Sequence, residues 1–195
     1  PTVTPEDEEA VLSALRSSQI SGNGHFGREA EKLLSEIHGG SRVLLTTSCT
    51  HALEMAALLL ELKPGDEVII PAYTFVSTAL AFLMHGGSPV FVDVREDPLN
   101  IDEGLIEAAI TPRTRAICVV NYAGFGANYE EIIKLCEKHG LKLIEDNAHG
   151  LGGSYAGQTL GTFGDMSTLS FHETKNVTCG EGGALVLNDQ SLIGK

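Results

Sequence analysis

Apolar runs of strand length alternate with amphipathic stretches of helix length between residues 42 and 150. Some of these runs, such as Val68-Ile69-Ile70 and Ile117-Cys118-Val119-Val120, are apolar throughout. Continuous apolar strands are typical of a parallel sheet with helices on both faces. The pattern therefore predicts an α/β fold. Its first five strands are expected at Val43–Thr46, Glu67–Ile70, Pro89–Val94, Arg115–Val120 and Lys142–Glu145.

Helical patterns separate these strands, at Thr50–Leu62, Phe75–Met84, Ile101–Ile110 and Tyr129–His139. Two amphipathic helices precede the first strand: one starts at Thr4-Pro5, and the other covers Phe26–Ile37. The glycine-containing turn between them, Ser21–Gly24, is either a substrate loop or a plain connector. After Gly150 the predicted strands are shorter, at Ser154–Ala156, Met166–Ser170 and Ala184–Leu187.

The composition narrows the class of protein. The 195 residues are enough for one large domain or two small ones. The formal charge of −13 argues against non-specific binding to nucleic acid, because a polyanion would repel this chain. No apolar run approaches the roughly 20 residues that span a bilayer, and no signal-peptide pattern opens the chain. The four cysteines lack CxxC spacing, which favours reduced thiols over disulfides or a zinc site. We expect a cytoplasmic protein without membrane or metal partners.

Small polar residues follow the first predicted strand, at the sheet edge where ligands collect in an open α/β fold. The stretch Thr46-Thr47-Ser48-Cys49-Thr50-His51 leads into a helix, and the free amides and dipole of a helix start can bind an anion. Ordinary N-capping explains the same residues equally well. The stretch contains neither GxGxxG nor GxxxxGK[ST], which disfavours a dinucleotide or P-loop nucleotide site.

Three other strand ends carry candidate chemistry. Tyr73-Thr74-Phe75 follows the second strand with an aromatic that either stacks on a flat ring or belongs to the core. Glu145-Asp146 places at least one carboxylate near the inside, where it needs a cation or a protonated ring nitrogen as partner. Lys175, just past the strand at Met166–Ser170, is either a solvated charge or an amine held to form a Schiff base.

Taken together, these residues supply the partners that pyridoxal 5'-phosphate needs. An anion cradle suits its phosphate, an aromatic side chain its ring face, a buried carboxylate its pyridinium nitrogen, and a lysine amine its aldehyde. Each feature alone is common in proteins, so the combination carries the argument. It predicts an enzyme that uses pyridoxal phosphate.

Seven stretches also follow the order of a known family over nearly the whole chain: Pro64–Ile69, Pro71–Thr78, Phe91–Val94, Asn121–Gly124, Glu145–His149, Ser170–Asn176 and Gly180–Gly183. On these stretches the sequence resembles the DegT/DnrJ/StrS sugar-nucleotide aminotransferases, which are pyridoxal-phosphate enzymes of fold type I. Within that group, Thr47–Thr50 and Leu53–Leu60 resemble the branch that aminates dTDP-4-oxo-6-deoxy-D-glucose. The resemblance implies a mixed, mostly parallel sheet with helices on both faces. Residues 1–195 would form the large domain, without the C-terminal small domain of the longer family chain.

The resemblance further implies a reaction. Lys175 would carry the internal aldimine and pass protons as general acid and base, while Asp146 would keep the pyridinium nitrogen protonated. The amino group would move from L-glutamate to a nucleotide-linked 4-keto sugar, in a homodimer. Relatives that dehydrate sugars have histidine in place of the lysine, so Lys175 argues against that reaction. Amination at C3, and a non-catalytic fragment that binds the cofactor or forms oligomers, both stay open.

The remaining site residues also take their roles from the resemblance. His149 would approach the ring hydroxyl of the cofactor, and Phe75 would stack on its ring. Ser170 and the Cys49-Thr50-His51 turn would hold the phosphate. Asn121 stands where many members of the group have histidine, at a position expected near the cofactor edge.

Overall fold

The computed structural model describes residues 2–194. Its strands are β1 (Arg42–Thr46), β2 (Glu67–Pro71), β3 (Ser88–Val92), β4 (Thr114–Val120), β5 (Lys142–Asp146), β6 (Ser154–Tyr155), β7 (Gln158–Thr159), β8 (Met166–Ser170) and β9 (Gly183–Leu187). β6 and β7 form a hairpin, and the other seven strands form one sheet in the order β1-β9-β8-β5-β4-β2-β3. Within this sheet β9 is antiparallel to β1 and β8, whereas the other pairings are parallel. The mixed, mostly parallel sheet confirms the predicted fold class.

The helices are α1 (Pro5–Arg16), α2 (His25–Ile37), α3 (Cys49–Leu59), α4 (Val76–Met84), α5 (Glu103–Ala109) and α6 (Tyr129–His139). All six were predicted, although two of the predicted boundaries differ from the structure by more than one residue. α3 ends before Leu62, because Glu61 has a φ of +53° that an α-helix cannot include. α5 starts after Ile101, because the Asp102 carboxylate caps the helix by accepting the Gly104 backbone N–H at 3.0 Å.

The two faces of the sheet carry separate apolar cores. Val68 and Ile70 of β2 pack with residues of α3 and α4, such as Phe82, whereas Ile69 between them packs with residues of α5 and α6, such as Ile132. Successive strand residues point to opposite faces, so a strand covered on both sides must be apolar at every position. This arrangement accounts for the continuous apolar runs in the sequence.

Six strands of the sheet end at one edge, and β9 begins there. The register shows this directly, since Gly183 at the start of β9 pairs with Thr46 at the end of β1 and with Ser170 at the end of β8. Likewise Val120, the last residue of β4, pairs with Asp146, the last residue of β5. The polar strand ends of the sequence therefore meet at this edge. Within residues 2–194, the structure has no helix whose length and apolar content would let it cross a membrane.

Candidate active site

A cavity of about 690 Å³ opens at the carboxyl edge of the sheet, a volume typical of small-molecule sites. The segments that follow β1, β2, β4, β5 and β8 all contribute to its wall. Seven of the eight residues that the sequence analysis assigned to a cofactor line it: Cys49, Thr50, Phe75, Asp146, His149, Ser170 and Lys175. A second cavity of about 370 Å³ adjoins the first and shares part of its wall, including Tyr122.

The first turn of α3 forms the part of the wall that suits an anion. Ser48 caps this helix by accepting the His51 backbone N–H at 3.2 Å. The other first-turn amides have no carbonyl partner within the helix and lie at the positive end of its dipole. Thr50 Oγ1 donates a hydrogen bond to Ser77 Oγ at 2.8 Å, which orients the Thr50 hydroxyl. Burial and the charge of Asp146 raise the pKa of the Cys49 thiol, so Cys49 brings no negative charge to this turn.

Gly183 allows β9 to approach the start of α3 closely. A Cβ atom at this position would lie 2.3 Å from the carbonyl carbon of Ser48 and 2.5 Å from the backbone nitrogen of Cys49. Non-bonded atoms cannot approach so closely, so any larger residue would push the helix start away from the sheet. The glycine-dense turn at Gly180–Gly183 thus has a packing role at the candidate anion site.

Of the eight predicted residues, His51 is the one whose side chain does not line the cavity. The side chain is exposed, and its Nδ1 is hydrogen-bonded to Thr47 Oγ1. Neighbouring residues of a helix point about 100° apart, so Thr50 can face the cavity while His51 does not. A phosphate contact by the His51 side chain stays a prediction that this arrangement does not favour.

Asp146 is a carboxylate held inside the protein at the end of β5, where it is 4 % exposed. Its Oδ2 accepts a hydrogen bond from Thr78 Oγ1 at 2.7 Å, and its Oδ1 accepts the Ala148 backbone N–H at 3.2 Å. Burial raises the pKa of Asp146, against the opposing effects of these donors and of the nearby His149 and Lys175. No salt bridge within the described chain neutralises this group. Such a carboxylate is stabilised when a cation enters the cavity.

The ring of His149 is held in one orientation by the backbone. Its Nδ1 accepts the backbone N–H of Ala123 at 3.3 Å, in a turn where Ala123 has a φ of +53°. Because Nδ1 accepts, the proton of the neutral ring lies on Nε2. Burial and the charge of Lys175 lower the pKa of His149, while Asp146 acts in the opposite direction. The lowered pKa favours the neutral ring of His149, in which Nε2–H is a hydrogen-bond donor.

Three aromatic side chains lie around the mouth of the cavity. Phe75 is 73 % exposed, so it is not a core residue. The hydroxyl oxygens of Tyr73 and Tyr122 are 2.9 Å apart and hydrogen-bonded, and the Tyr122 ring meets His149 edge-on at a centroid distance of 5.5 Å. Tyr122 was not among the residues predicted to bind the cofactor. Its position directly after the end of β4 was the signal that could have revealed it, since the other site residues also follow strand ends.

Lys175 lies in the segment between β8 and β9 and is half-buried. Its backbone N–H donates to the carbonyl oxygen of His172 at 2.9 Å, which closes a turn directly after Ser170. Lys175 lines both cavities, and its charge lowers the pKa of Asp146 and of His149. The amine and the buried carboxylate, which come from different strand ends, thus belong to one site.

Glu145 and Asn121 lie apart from this site. Glu145 and Asp146 point to opposite faces of the sheet because they are successive residues of β5, and only Asp146 lines the cavity. Asn121 is fully buried, and its side chain is hydrogen-bonded to Glu145 rather than exposed to either cavity. The Asn121 side chain therefore does not line the cavity, although the next residue, Tyr122, does, and a position near the cofactor edge stays a prediction.

These residues fit pyridoxal phosphate, a ligand with a phosphate, a flat ring, a basic ring nitrogen and an aldehyde. The buried Asp146 carboxylate forms no salt bridge within residues 2–194, and the close approach at Gly183 brings the start of α3 to the cavity as a candidate anion cradle. An aromatic face at Phe75 and the amine of Lys175 complete the set. Each group of the cofactor has a matching group of the protein in one cavity.

Comparison with known proteins agrees with this geometry. The model of the DegT/DnrJ/EryC1/StrS aminotransferase family matches residues 1–195. The spore coat polysaccharide biosynthesis protein SpsC of Bacillus subtilis (strain 168) is 37 % identical over 195 residues, which are 100 % of this chain and 50 % of SpsC. The PLP form of Spr1654 from Streptococcus pneumoniae, described as a sugar aminotransferase, superposes with a TM-score of 0.91 at 32 % identity. That alignment covers 100 % of this chain and 53 % of Spr1654.

A further solved relative is DesI, whose structure was determined in the presence of its TDP-sugar product. It superposes with a TM-score of 0.88 at 36 % identity, over 95 % of this chain and 47 % of DesI. The chain thus spans about half the length of the relatives it matches. Its sheet is that of fold type I pyridoxal-phosphate enzymes, and pyridoxal phosphate is the cofactor of this fold. The chain belongs to the DegT/DnrJ/EryC1/StrS aminotransferase family.

Proposed function

We propose that the protein formed by this chain transfers the amino group of L-glutamate to a nucleotide-linked 4-keto-6-deoxy sugar. The proposed substrate is dTDP-4-oxo-6-deoxy-D-glucose, and the product is the corresponding 4-amino-4,6-dideoxy sugar. The observation that carries the proposal is that Lys175 and Asp146, an amine and a buried carboxylate without a salt bridge, line one cavity. We place the reaction in the cytoplasm, where the four free thiols would stay reduced.

In this proposal, each side chain of the cavity binds one part of the cofactor. Asp146 holds a proton on the ring nitrogen, because a buried carboxylate stabilises a neighbouring cation. Ser170 and the first-turn amides of α3 bind the phosphate. His149 donates its Nε2–H to the ring hydroxyl oxygen, and Phe75 covers a face of the ring and excludes water. Lys175 anchors the aldehyde through its Nζ atom.

Lys175 then acts as the proton carrier of the reaction. The bound cofactor supplies an electron sink for the electrons released when a proton leaves the substrate carbon. Lys175, whose Nζ atom would hold the cofactor, would also take this proton and return it, as general base and general acid, and would serve both halves of the transfer from L-glutamate to the keto sugar. The position of Lys175 at the border of both cavities supports this role, since the amine can face both the cofactor site and the adjoining space.

The sugar substrate is supported by the relatives rather than by the cavity alone. DesI is named with a TDP-sugar product, and SpsC is named for polysaccharide biosynthesis. Amination at C4 rests on the resemblance of Thr47–Thr50 and Leu53–Leu60 to the branch that aminates dTDP-4-oxo-6-deoxy-D-glucose. A C3 aminotransferase is the alternative within the same chemistry. Analysis of the amino sugar formed from a panel of dTDP- and UDP-linked keto sugars separates the two.

We also propose that the protein is a homodimer whose interface includes the exposed side of α4. Four apolar side chains lie on that side, at Val76, Leu80, Leu83 and Met84, each at least 42 % exposed. Their spacing places them on one helix face, opposite the buried Thr78 and Phe82. The row begins beside Phe75, so a partner seated there would cover the mouth of the cavity. An exposed apolar face of this kind marks an interaction surface.

The test is whether pyridoxal phosphate becomes bound to Lys175. Incubation with the cofactor should give the visible absorbance band of lysine-bound pyridoxal, and borohydride should fix a pyridoxyl label that mass spectrometry finds on Lys175. Lys175→Ala should abolish the label, whereas Lys32→Ala, at an exposed lysine of α2, should keep it. A band and label that persist in Lys175→Ala would refute the assignment.

A second candidate function is that of a non-catalytic protein that binds the cofactor or forms oligomers, since a fold does not by itself guarantee an activity. Addition of L-glutamate distinguishes the two functions. A transaminase converts the bound pyridoxal form to the pyridoxamine form, with loss of the visible band, whereas a non-catalytic cofactor-binding protein keeps its spectrum.

A further inference from the structure

Glu145 is a fully buried carboxyl group that the proposed mechanism does not use. Its Oε1 accepts the backbone N–H groups of Phe163 and Gly164, each at 2.7 Å. Its Oε2 accepts the backbone N–H of Gly161 at 2.7 Å and lies 2.8 Å from the Tyr129 hydroxyl oxygen, whose single proton is shared between Glu145 and Asn121. No lysine or arginine of the described chain pairs with it. A side chain that accepts three backbone amides ties the turn at residues 161–164 to the end of β5.

Asn121 joins this group to the cavity side of the sheet. Its Nδ2 donates to Glu145 Oε2 at 3.3 Å and to Asn147 Oδ1 at 2.8 Å, and its Oδ1 accepts the Tyr129 hydroxyl at 2.5 Å. Both polar atoms of the side chain are thus used, in a position that is completely buried. An amide is required here because one end must donate and the other must accept.

Asn147 connects Asn121 to the turn that contains His149. The Asn147 side chain fills the space beside Gly150, where a Cβ would lie 1.8 Å from Asn147 Oδ1. Its backbone carbonyl accepts the Gly150 N–H at 3.0 Å, which closes the turn around Ala148 and His149. The backbone N–H of Asn121 donates to the Asp146 carbonyl at 3.1 Å, so Asn121 contacts both Asp146 and Asn147, where the turn begins.

We propose that Asn121, Glu145 and Tyr129 are positioning residues, which hold the Asp146–His149 turn in the geometry that places its carboxylate and imidazole on the cavity. The network lies on the opposite face of β5 from the cavity, so it acts without touching a ligand. The expected effect on cofactor binding rests on the proposed function. The expected effect on the orientation of the His149 ring is independent of it.

The test compares two variants of the network with one control. Asn121→Asp keeps the size of the side chain but turns an acceptor toward the acceptors Glu145 and Asn147. Tyr129→Phe is the milder change, since it removes one hydroxyl and keeps the ring stacked on Phe163 at 4.1 Å. Glu67→Gln is the control, because Glu67 is also a buried acid of the sheet but lies at the amino end of β2, where Thr111 and Arg113 bind it.

Two measurements are made on each variant, alongside its thermal unfolding. The first is the pKa of His149 without cofactor, from an NMR titration of the histidine ring signals. The signal of His149 is identified as the one that is missing from the spectrum of His149→Gln. The second is the Kd for pyridoxal phosphate from absorbance titration. Loosening the turn exposes the ring, so the pKa of His149 should rise toward its ordinary value in both network variants. Asn121→Asp should weaken cofactor binding about tenfold, because buried groups lose their partners.

The control distinguishes positioning from plain destabilisation. Glu67→Gln should lower the melting temperature. It should leave the pKa of His149 unchanged and the Kd for pyridoxal phosphate within about twofold of that of the unsubstituted chain. The proposal is overturned when the network variants behave like this control. If the unsubstituted chain binds no pyridoxal phosphate, the proposed function fails while the His149 titration still decides the positioning role. If Asn121→Asp does not fold, Tyr129→Phe decides it.

Discussion

Thr78 of α4 donates a hydrogen bond of 2.7 Å to Asp146 at the end of β5, and both residues are buried. Thr78 in turn accepts from Thr74, whose Oγ1 lies 2.8 Å away and which lines the cavity. A helix from one face of the sheet therefore orients the carboxylate that is central to the candidate site. This contact links a core position of α4 to the chemistry at the strand end.

Thr78→Val should weaken the binding of pyridoxal phosphate. Valine has the same shape but no hydroxyl, so Asp146 loses its shorter hydrogen bond, and the pKa of Asp146 rises further. We expect an increase of about tenfold in the Kd from absorbance titration, since one buried charged acceptor loses its donor. Thr78→Ser keeps the hydroxyl and should bind within about threefold of the unsubstituted chain. Equal affinities of the Val and Ser variants would contradict this role of Thr78.

Gly183→Ala should destabilise the fold and disrupt the anion site together. The added Cβ would overlap the backbone of Ser48 and Cys49, which forces the start of α3 away from β9. Overpacking of this kind costs about 1–3 kcal/mol of unfolding free energy, measurable by urea denaturation. Gly22→Ala is the matched control, because a Cβ at Gly22 meets nothing within 4 Å. A Gly183→Ala variant that matches the control in stability and in cofactor affinity would refute the close approach.

The sequence predicted the elements well where burial leaves a pattern. The continuous apolar runs around Ile69 and Ile117 indicate strands covered on both faces, and the strand at Met166–Ser170 has the predicted bounds. The direction and place of β9 were not predictable in the same way. An apolar run such as Ala184–Leu187 has no feature that distinguishes parallel from antiparallel pairing. It also does not indicate which strands lie next to it in the sheet.

The site residues that could be predicted from the sequence are those at the ends of strands. Asp146 and Lys175 could be proposed because each follows a strand, and parallel strands end at one edge. The sequence could not decide whether Glu145 or Asp146 faces the cavity, since that depends on which face α3 and α4 cover. It could not separate Thr50 from His51, which differ in direction around α3. Thr78 gives no signal at all, because its hydroxyl acts across a contact between distant segments.

Leu83→Glu should shift the proposed homodimer toward monomer. Leu83 is 55 % exposed on the apolar side of α4, and a buried carboxylate at an interface costs far more than an exposed one. We expect the dimer dissociation constant from sedimentation to rise by at least about tenfold. Leu105→Glu on α5 is the control, since Leu105 is 46 % exposed but lies on the other face of the sheet. A dimer unaffected by Leu83→Glu would place the interface elsewhere.

Asp189→Asn should lower stability at neutral pH, by an amount that disappears in acid. Lys142 Nζ donates to Asp189 Oδ2 at 2.6 Å and also to Asp165, which ties the start of β5 to the segment after β9. This bond and the Ser191 N–H lower the pKa of Asp189 from an ordinary 3.8 to about 2. Because the pKa is lower in the folded state, the carboxylate stabilises the fold above pH 3.8, and this contribution is lost as the pH falls toward 2.

Urea denaturation of Asp189→Asn should therefore give an unfolding free energy about 1 kcal/mol below that of the unsubstituted chain at pH 7 and pH 5, after allowance for solvent screening. The difference should shrink at pH 3. Glu137→Gln, at an exposed acid of α6, is the control for the removal of one negative charge. A deficit in Asp189→Asn that stays constant from pH 7 to pH 3 would mean that the side chain stabilises the fold through packing rather than through its charge, because only the charged form is lost over this range.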